Sequence, residues 1–130
     1  MKDPAEPGVC AQARLRIMRG DDIAMGPGKA DLLQAIADSG SISAAARALG
    51  MSYRRAWQLV ETMNACFDPP LVRPSKGGRG GGGAELTPQG QAVLAAYRKL
   101  QGEVQAVLES ALPALAVGIR EVPRRARRPR

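Results

Sequence analysis

The chain has 130 residues, of which 45% are hydrophobic and 3% aromatic, and it carries a net charge of +7. This length supports one modest core and excludes a large catalytic cleft with a second domain beside it. The many alanines favour helices over strands, and the positive charge favours a polyanionic partner.

Residue types that catalysis and metal binding need are scarce. There is no histidine, and the two cysteines, Cys10 and Cys66, lie far apart, which excludes a zinc site and a disulfide framework. No nucleophile has a plausible base and no carboxylates pair on one face, so we expect neither an enzyme nor a bound cofactor or metal. No apolar run approaches 18 residues and the N-terminus lacks an apolar signal region, so we expect a cytoplasmic protein without membrane contact.

The charge is concentrated in two zones. Residues 41–83 carry +4 and residues 118–130 carry +5, while the remainder is slightly acidic. A charge run alone is most often a solvated face. Two separate basic zones nevertheless favour nucleic acid as the partner.

The N-terminal quarter predicts a mobile arm, a strand pair and a helix. Residues 1–13 have little periodicity and form the arm. Residues 14–19 (RLRIMR) alternate, with Leu15 and Ile17 on the inner face, and 23–25 return as a second strand. Apolar residues at three- to four-residue spacing then predict a helix from Pro27 to Gly40, with the glycine just past its end.

The next stretch, residues 41–67, has the sequence order of a helix-turn-helix. Ser43 is predicted to cap a short helix, AAARALG, which ends at Gly50 in the left-handed conformation. Ser52 is predicted to cap the following, longer helix almost at once. Cap, short helix, glycine corner, cap and longer helix are typical of this motif.

The longer helix has a core face and an outer face. At about 100° per residue, the apolar residues fall together, Arg54 and Gln58 fall opposite them, and Arg55 falls on one flank. Tyr53 and Trp57 fall on the other flank. Recognition helices read bases chiefly from such an N-terminal part.

These side chains predict DNA contacts, with simpler alternatives beside them. Arg54 and Arg55 could pair with guanine and Gln58 with adenine, or all three could only solvate the helix. Serines at the helix starts (Ser41, Ser43 and Ser52) suit phosphate, although plain capping is enough to explain Ser43. For Tyr53 and Trp57 two interpretations stay open, packing beside the core and contact with sugar and phosphate.

A glycine-rich hairpin follows the helix. The prolines after Asp68 stop the helix, residues 71–73 and 85–87 predict paired strands, and PSKGGRGGGGA lies between them. As a wing, this loop would bring Lys76 and Arg79 to backbone or minor groove. The alternatives are a flexible linker and a phosphate-cradling loop, and the second lacks the Gly-Lys-Ser/Thr end before a helix.

The C-terminal part predicts one long helix and a tail. Thr87 caps the helix with Pro88 in its first turn, and Pro113 should end or kink it. Apolar residues recur along it with heptad-like spacing, which indicates a dimer interface, packing on the chain's own core, or both in different parts. We call this set the apolar seam: Val93, Tyr97, Leu100, Val104, Val107, Ala111. Arginines crowd the last residues and predict a disordered basic tail.

Two segments, GPGKADLLQAIADSGSISAAARALGMSYRRAWQLVETMN with the later LV, and GGRGGGGAELTPQG, carry a family resemblance. They resemble the N-terminal domain of the molybdate-responsive transcriptional regulators, the ModE family, which is related to the LysR-type winged helix. The resemblance covers about residues 14–110, and MSYRRAW and GGRGGGGAELT are its most specific parts.

The resemblance implies a homodimer that binds double-stranded DNA at a palindromic operator. It implies Ser52, Tyr53, Arg54, Trp57 and Gln58 as the recognition surface. It places Arg73, Lys76 and Arg79 on the wing.

One departure limits the resemblance. Full-length members carry a C-terminal oxyanion-binding domain, whereas this chain ends in the arginine tail, so molybdate sensing is not carried over. We expect a stand-alone DNA-binding version that senses nothing itself or acts with a separate effector-sensing protein.

The sequence therefore predicts a mainly α fold with a small β-hairpin wing, a winged helix-turn-helix with a long C-terminal dimerisation helix. Residues 1–13 form the flexible arm, 14–112 the domain with its dimerisation helix at about 88–112, and 113–130 the basic tail. The predicted function is sequence-specific transcriptional regulation. The alternatives are a non-specific or architectural nucleic-acid-binding protein driven by the tail, and an oxyanion-binding adaptor.

Overall fold

The computed structural model describes residues 8–76 and 83–120. Within them, four helices and two antiparallel hairpins confirm the predicted fold class, a winged helix-turn-helix with a long C-terminal helix. The elements, in chain order, are β1 (Ile17–Arg19), β2 (Asp22–Met25), α1 (Pro27–Ser39), α2 (Ile42–Ala48), α3 (Tyr53–Cys66), β3 (Val72–Ser75), β4 (Gly83–Leu86) and α4 (Pro88–Leu115).

The chain divides into two compact units. Arg14–Gln101 form the larger unit and contain both hairpins, the first three helices and the start of α4. The described parts of the smaller unit are residues 8–13 and 102–120. Within the smaller unit, the Gln105 side-chain amide donates a hydrogen bond of 3.2 Å to the Ala11 carbonyl oxygen.

The core of the larger unit lies where α1, α2 and α3 pack on one another and on the second hairpin. Because aromatic residues are few, aliphatic and methionine side chains fill it. The largest of these are completely or almost completely buried: Met25, Leu32, Leu33, Ile36, Met63, Leu71. This core supports α3 from one side and leaves its opposite face to solvent.

The first hairpin differs from its prediction. β1 begins at Ile17 instead of residue 14, and Ile17 is 44% exposed, so its predicted inner position is wrong. All three residues of β1 are exposed, and the pairing register shifts between Ile17 and Met18 because Ala24 of β2 is an extra residue without a partner in β1. Leu15 precedes the strand, is partly buried, and its carbonyl accepts a hydrogen bond of 2.7 Å from the Tyr97 hydroxyl.

The ends of α1 and α2 agree with the sequence, whereas the start of α2 does not. Gly40 and Gly50 have φ of 75° and 70°, so both adopt the left-handed conformation expected after α1 and α2. The predicted cap of α2 is wrong, because Ser41 takes that role and its hydroxyl accepts from the Ala44 amide at 3.0 Å. Ser41 has the extended backbone of a cap, and Ser43 already lies inside the first turn, since the helix begins at Ile42.

The second hairpin joins α3 to α4. Val72 pairs with Leu86 and Arg73 with Glu85, which confirms the predicted partner strands. Leu71 lies just outside the ladder, and its carbonyl accepts a hydrogen bond of 2.8 Å from the Thr87 amide. The Thr87 hydroxyl accepts from the Gly90 amide at 2.9 Å, as expected of the cap of α4.

The last helix passes the predicted stop. α4 continues to Leu115, so an end at Pro113 is wrong by two residues. Proline removes one hydrogen-bond donor, and this loss falls in the final turn, where few bonds follow it. Along the apolar seam, Tyr97 is 4% exposed, whereas Leu100 is 38% and Val107 is 67% exposed. Among the described residues, no helix has both the length and the hydropathy that a membrane crossing needs.

Candidate nucleic-acid interface

The corner between α2 and α3 sets the position of the candidate site. After the left-handed Gly50, the Met51 amide donates to the Ala46 carbonyl at 3.0 Å, which closes the end of α2. Ser52 then starts α3, and its hydroxyl accepts from the Arg55 amide at 3.0 Å. The first turn of α3 is therefore fixed by a short, well-bonded corner.

The outer face of α3 is polar and exposed. Ala56, Val60 and Met63 are buried in the core, while Arg54 and Gln58 lie exposed on the opposite side. The side chains of these two residues form no hydrogen bond or ion pair with any other described residue. A recognition helix needs such free donors at its N-terminal part, where base edges are read.

The flank of α3 that carries Tyr53 and Trp57 faces a groove. Tyr53 is 55% and Trp57 43% exposed, and both rings line the groove between α3 and the second hairpin. Ser43, Arg73 and Pro74 line it as well. The structure thus brings together four of the predicted contact residues, which come from α2, α3 and β3.

The strands of the predicted wing carry a mixed charge. Arg73 donates from Nε to Glu85 Oε2 at 2.7 Å, and both side chains are about half exposed. Lys76 is exposed just after β3. Arg79, the third predicted wing contact, and the arginines of the tail from residue 121 on lie outside the described residues.

The serines differ in how free their hydroxyl groups are. The Ser41 and Ser52 hydroxyls accept the capping hydrogen bonds of α2 and α3. Ser43 is exposed in the first turn of α2. Of the three, Ser43 therefore keeps its hydroxyl most available to a ligand.

The other flank of α3 carries Arg55, and the structure adds Lys29, a positive charge near Arg55 that the sequence did not single out. Partial burial, and then the nearby charges of Arg55 and Arg16, lower the pKa of Lys29 below its usual value. Cys66 opposes this effect, more strongly than Arg16 adds to it, and Asp22 opposes it least. The sequence shows Lys29 only as a residue in the first turn of α1, and the packing of α1 against α3 brings it beside Arg55.

Comparison with known families and proteins agrees with this geometry. Residues 29–91 match the model of the bacterial regulatory helix-turn-helix proteins of the lysR family. MopB of Rhodobacter capsulatus, a molybdenum-pterin-binding protein, is 46% identical over 86 residues, which are 66% of this chain and 32% of MopB. The ModE of Escherichia coli K12, a DNA-binding transcriptional dual regulator, is 45% identical over 71 residues, which are 55% of this chain and 27% of that protein. The chain thus spans about a third of the length of these relatives.

Solved structures give the same fold. The DNA-binding domain of CbnR, crystallised in complex with DNA, superposes with a TM-score of 0.54 at 23% identity, covering 68% of this chain and 95% of that domain. The LysR family transcriptional regulator VV2_1132 superposes with a TM-score of 0.51 at 18% identity, covering 67% of this chain and 28% of that one. At these identities the likeness shows the fold.

Proposed function

We propose that the protein is a sequence-specific DNA-binding transcriptional regulator, and that residues 29–91, which match the lysR-family helix-turn-helix model, form its DNA-binding part. One observation carries the proposal. The first two turns of α3 present Arg54 and Gln58 to solvent, unpaired with any described residue, directly after the glycine corner. The net charge of +7 supplies the attraction to a polyanion that such a surface needs.

The exposed residues divide into two groups, one that we assign to base edges and one that we assign to the sugar-phosphate backbone of DNA. Arg54 and Gln58 face away from the core and would meet base edges in the major groove. Ser43, Tyr53 and Trp57 border the groove beside the second hairpin, and we assign them to sugar and phosphate. Ser52, Arg55, Arg73, Lys76 and Arg79 complete the proposed DNA-binding set.

We further propose that the protein binds DNA as a homodimer. α4 is 28 residues long, and the apolar seam leaves Leu100 and Val107 exposed along it. An exposed apolar row on a long helix favours pairing with a second copy. A two-fold dimer would place its recognition helices about 34 Å apart and would bind a palindrome.

Selection of bound sequences from a random DNA pool tests the proposal. We expect an enriched palindrome whose half-sites are about one helical turn apart. Arg54→Ala should weaken binding to the enriched duplex by roughly 1–3 kcal/mol and relax the preference at one base pair. Arg54→Lys is the matched control, because it keeps the charge but loses the bidentate contact. It should relax the preference while changing the salt dependence little. An Arg54→Ala variant that binds the enriched and a random duplex like the parent would refute this assignment.

The arginine tail favours a second candidate, an architectural protein that binds nucleic acid without sequence preference. Residues 118–130 carry a charge of +5, enough for salt-sensitive attraction to any duplex. Deleting residues 121–130 separates the two candidates. We expect weaker binding with the palindrome preference kept, whereas loss of all affinity in a protein without site preference would support the second candidate.

A further inference from the structure

The flank of α3 that faces away from the second hairpin carries an unassigned basic patch. Three side chains form it: Arg55 from the first turn of α3, Lys29 from the first turn of α1 and Arg16 from the segment before β1. The chain builds this patch from three elements, so it is a product of the fold and not of a local charge run.

The packing of α1 and of the first hairpin against α3 sets the position of the patch within the larger unit. The side chain of Arg16 lies beside the start of α1, with its Cγ 3.8 Å from the place where a Cβ on Gly26 would stand. Lys29 follows three residues later, is partly buried, and lies near both arginines. None of the three side chains forms an ion pair within the described residues. Asp22 is the carboxylate that acts on Lys29, and its effect is weaker than those of the two arginines.

Three cations held together without a paired carboxylate create a site for an anion. Burial and like-charge repulsion both disfavour the charged ammonium of Lys29, and they lower its pKa. An anion between the three groups would offset the repulsion and favour the positively charged form of Lys29. A phosphate oxygen is the anion that Arg and Lys most often hold in nucleic-acid complexes.

The position of the patch identifies which phosphate it suits. An α-helix with side chains is about 10–12 Å across, and the major groove is about 12 Å wide, so a helix in the groove faces one phosphate strand on each flank. Tyr53, Trp57 and the second hairpin lie on one flank of α3. Arg55 lies on the other, about 100° around the helix from the core-facing Ala56.

We propose that Arg16, Lys29 and Arg55 bind a phosphodiester of the DNA strand that borders α3 on the flank opposite the second hairpin. This inference rests on the proposed function, since it needs α3 in the major groove. It adds Arg16 and Lys29 to the interface and assigns Arg55 to the backbone instead of a base. α3 is then held from both flanks, with base reading left to Arg54 and Gln58.

Charge removal with retention of the aliphatic stem tests the patch. Lys29→Met and Arg16→Met are titrated against the duplex enriched from the random pool and against a random duplex, over a range of salt concentrations. Both variants should bind both duplexes several-fold more weakly, with a salt dependence reduced by about one phosphate contact each. Arg14→Met is the matched control, because it removes the same charge two residues from Arg16, at a side chain that acts on Tyr97. It should titrate close to the parent.

Thermal unfolding separates phosphate binding from a structural role. Lys29→Met should have an equal or higher Tm than the parent, because it relieves burial of a charge and repulsion by Arg55 and Arg16. A lower Tm with weaker binding in proportion to the unfolded fraction would overturn the proposal in favour of a structural lysine. Inorganic phosphate at millimolar concentration gives the second arm. If the duplex raises the Tm and inorganic phosphate does not, the patch binds a phosphate of the DNA backbone. If inorganic phosphate raises the Tm equally, the assignment to a DNA phosphate is overturned.

Single methylphosphonate substitutions locate the phosphate. At one position, neutralising the phosphate should weaken the parent and Arg14→Met more than Lys29→Met, in which only Arg16 and Arg55 still contact that phosphate. This position should lie on the strand opposite the one that couples to Trp57. If the unaltered protein binds no duplex, the proposed function itself fails. If the protein binds the duplex and every methylphosphonate weakens the parent and Lys29→Met equally, only the proposed phosphate contact of the patch is overturned.

Discussion

The two ends of α3 are built differently. At its N-terminal end, Arg54 and Gln58 are exposed and unpaired with any described residue, and the Ser52 cap and the bonds of the preceding corner fix the turn. At its C-terminal end, Asn64 bonds to the main chain of the second hairpin, and an Arg19 guanidinium N–H donates to the Ala65 carbonyl at 3.2 Å. One end is therefore anchored and the other is free to bind.

The difference between the two ends shows how α3 can present a DNA-contact surface and remain rigid. A contact surface must keep its donors unpaired, which contributes nothing to folding stability. Its support must come from elsewhere, and in this chain it comes from the core, from the bonds of Asn64 to Leu71 and Val72, and from the bond of Thr87 to Leu71. Changes at the anchored end should lower stability first, and changes at the free end should lower DNA binding first.

The largest effect is expected at Gly90, where α4 meets the anchored end. A Cβ at this position would overlap the Leu71 carbonyl oxygen, and relief would require a shift of the main chain. Gly90→Ala should therefore lower the free energy of unfolding by about 3 kcal/mol or more, measured by chemical denaturation.

Gly102→Ala is the matched control for that prediction. Gly102 lies in the same helix, and a Cβ there would meet nothing within 4 Å. The change should raise stability by about 0.5–1 kcal/mol, because alanine favours the helix. Equal effects of the two alanines would show that the close approach at Leu71 does not constrain α4.

Asn64 should give the second largest effect. Its Oδ1 accepts from the amides of Leu71 and Val72 at 2.9 and 3.2 Å, and its Nδ2 donates to the Val72 carbonyl at 3.0 Å. Asn64→Ala would leave partly buried main-chain groups without partners and should cost about 2–3 kcal/mol of stability.

Asn64→Asp sharpens the result, because it keeps both accepted bonds and loses the donated one. It should fall between the parent and the alanine variant in chemical denaturation. Both variants should also weaken binding to the enriched duplex, since the second hairpin would lose its fixed position beside Trp57. If the alanine variant unfolds like the parent, the anchored end is not held by this residue.

The exposed end of α3 could be predicted from the sequence, whereas the contacts of the anchored end could not. Ser52, Gly50 and the placement of Arg54 and Gln58 follow from local rules of capping and helical periodicity, and the structure has them where those rules put them. The bonds of Asn64 depend on how the chain turns between α3 and β3, which periodicity does not describe.

The errors have similar causes. Ser41 and Ser43 both fit the cap of α2 by residue type, and the choice depends on main-chain angles set by the preceding Gly40 turn. The inner position of Ile17 failed because only Ile17–Arg19 of the alternating run form a paired strand, and all three residues are exposed. Lys29 drew no prediction, since its neighbours Arg16 and Arg55 are distant in sequence and meet it only after α1 packs on α3.

The smallest effect on stability is expected at Glu85, and it probes the boundary between the two ends. Glu85 pairs with Arg73 at 2.7 Å, and both side chains are about half exposed, so the pair should contribute about 0–1 kcal/mol. Glu85→Gln should therefore change the free energy of unfolding by about 0.5 kcal/mol or less. The same change removes a negative charge beside the groove and releases the Arg73 guanidinium, so duplex binding should become tighter and more salt-dependent.

Arg73→Gln gives the opposite sign and serves as the comparison, because it should weaken binding at equally small cost in stability. The ion pair then acts as a limit on affinity and not as a support of the fold. Should Glu85→Gln lower stability by as much as Asn64→Ala and leave binding unchanged, Arg73 would belong to the anchored end. The free surface of the domain would then be confined to α3, the start of α2 and the flank that carries Lys29.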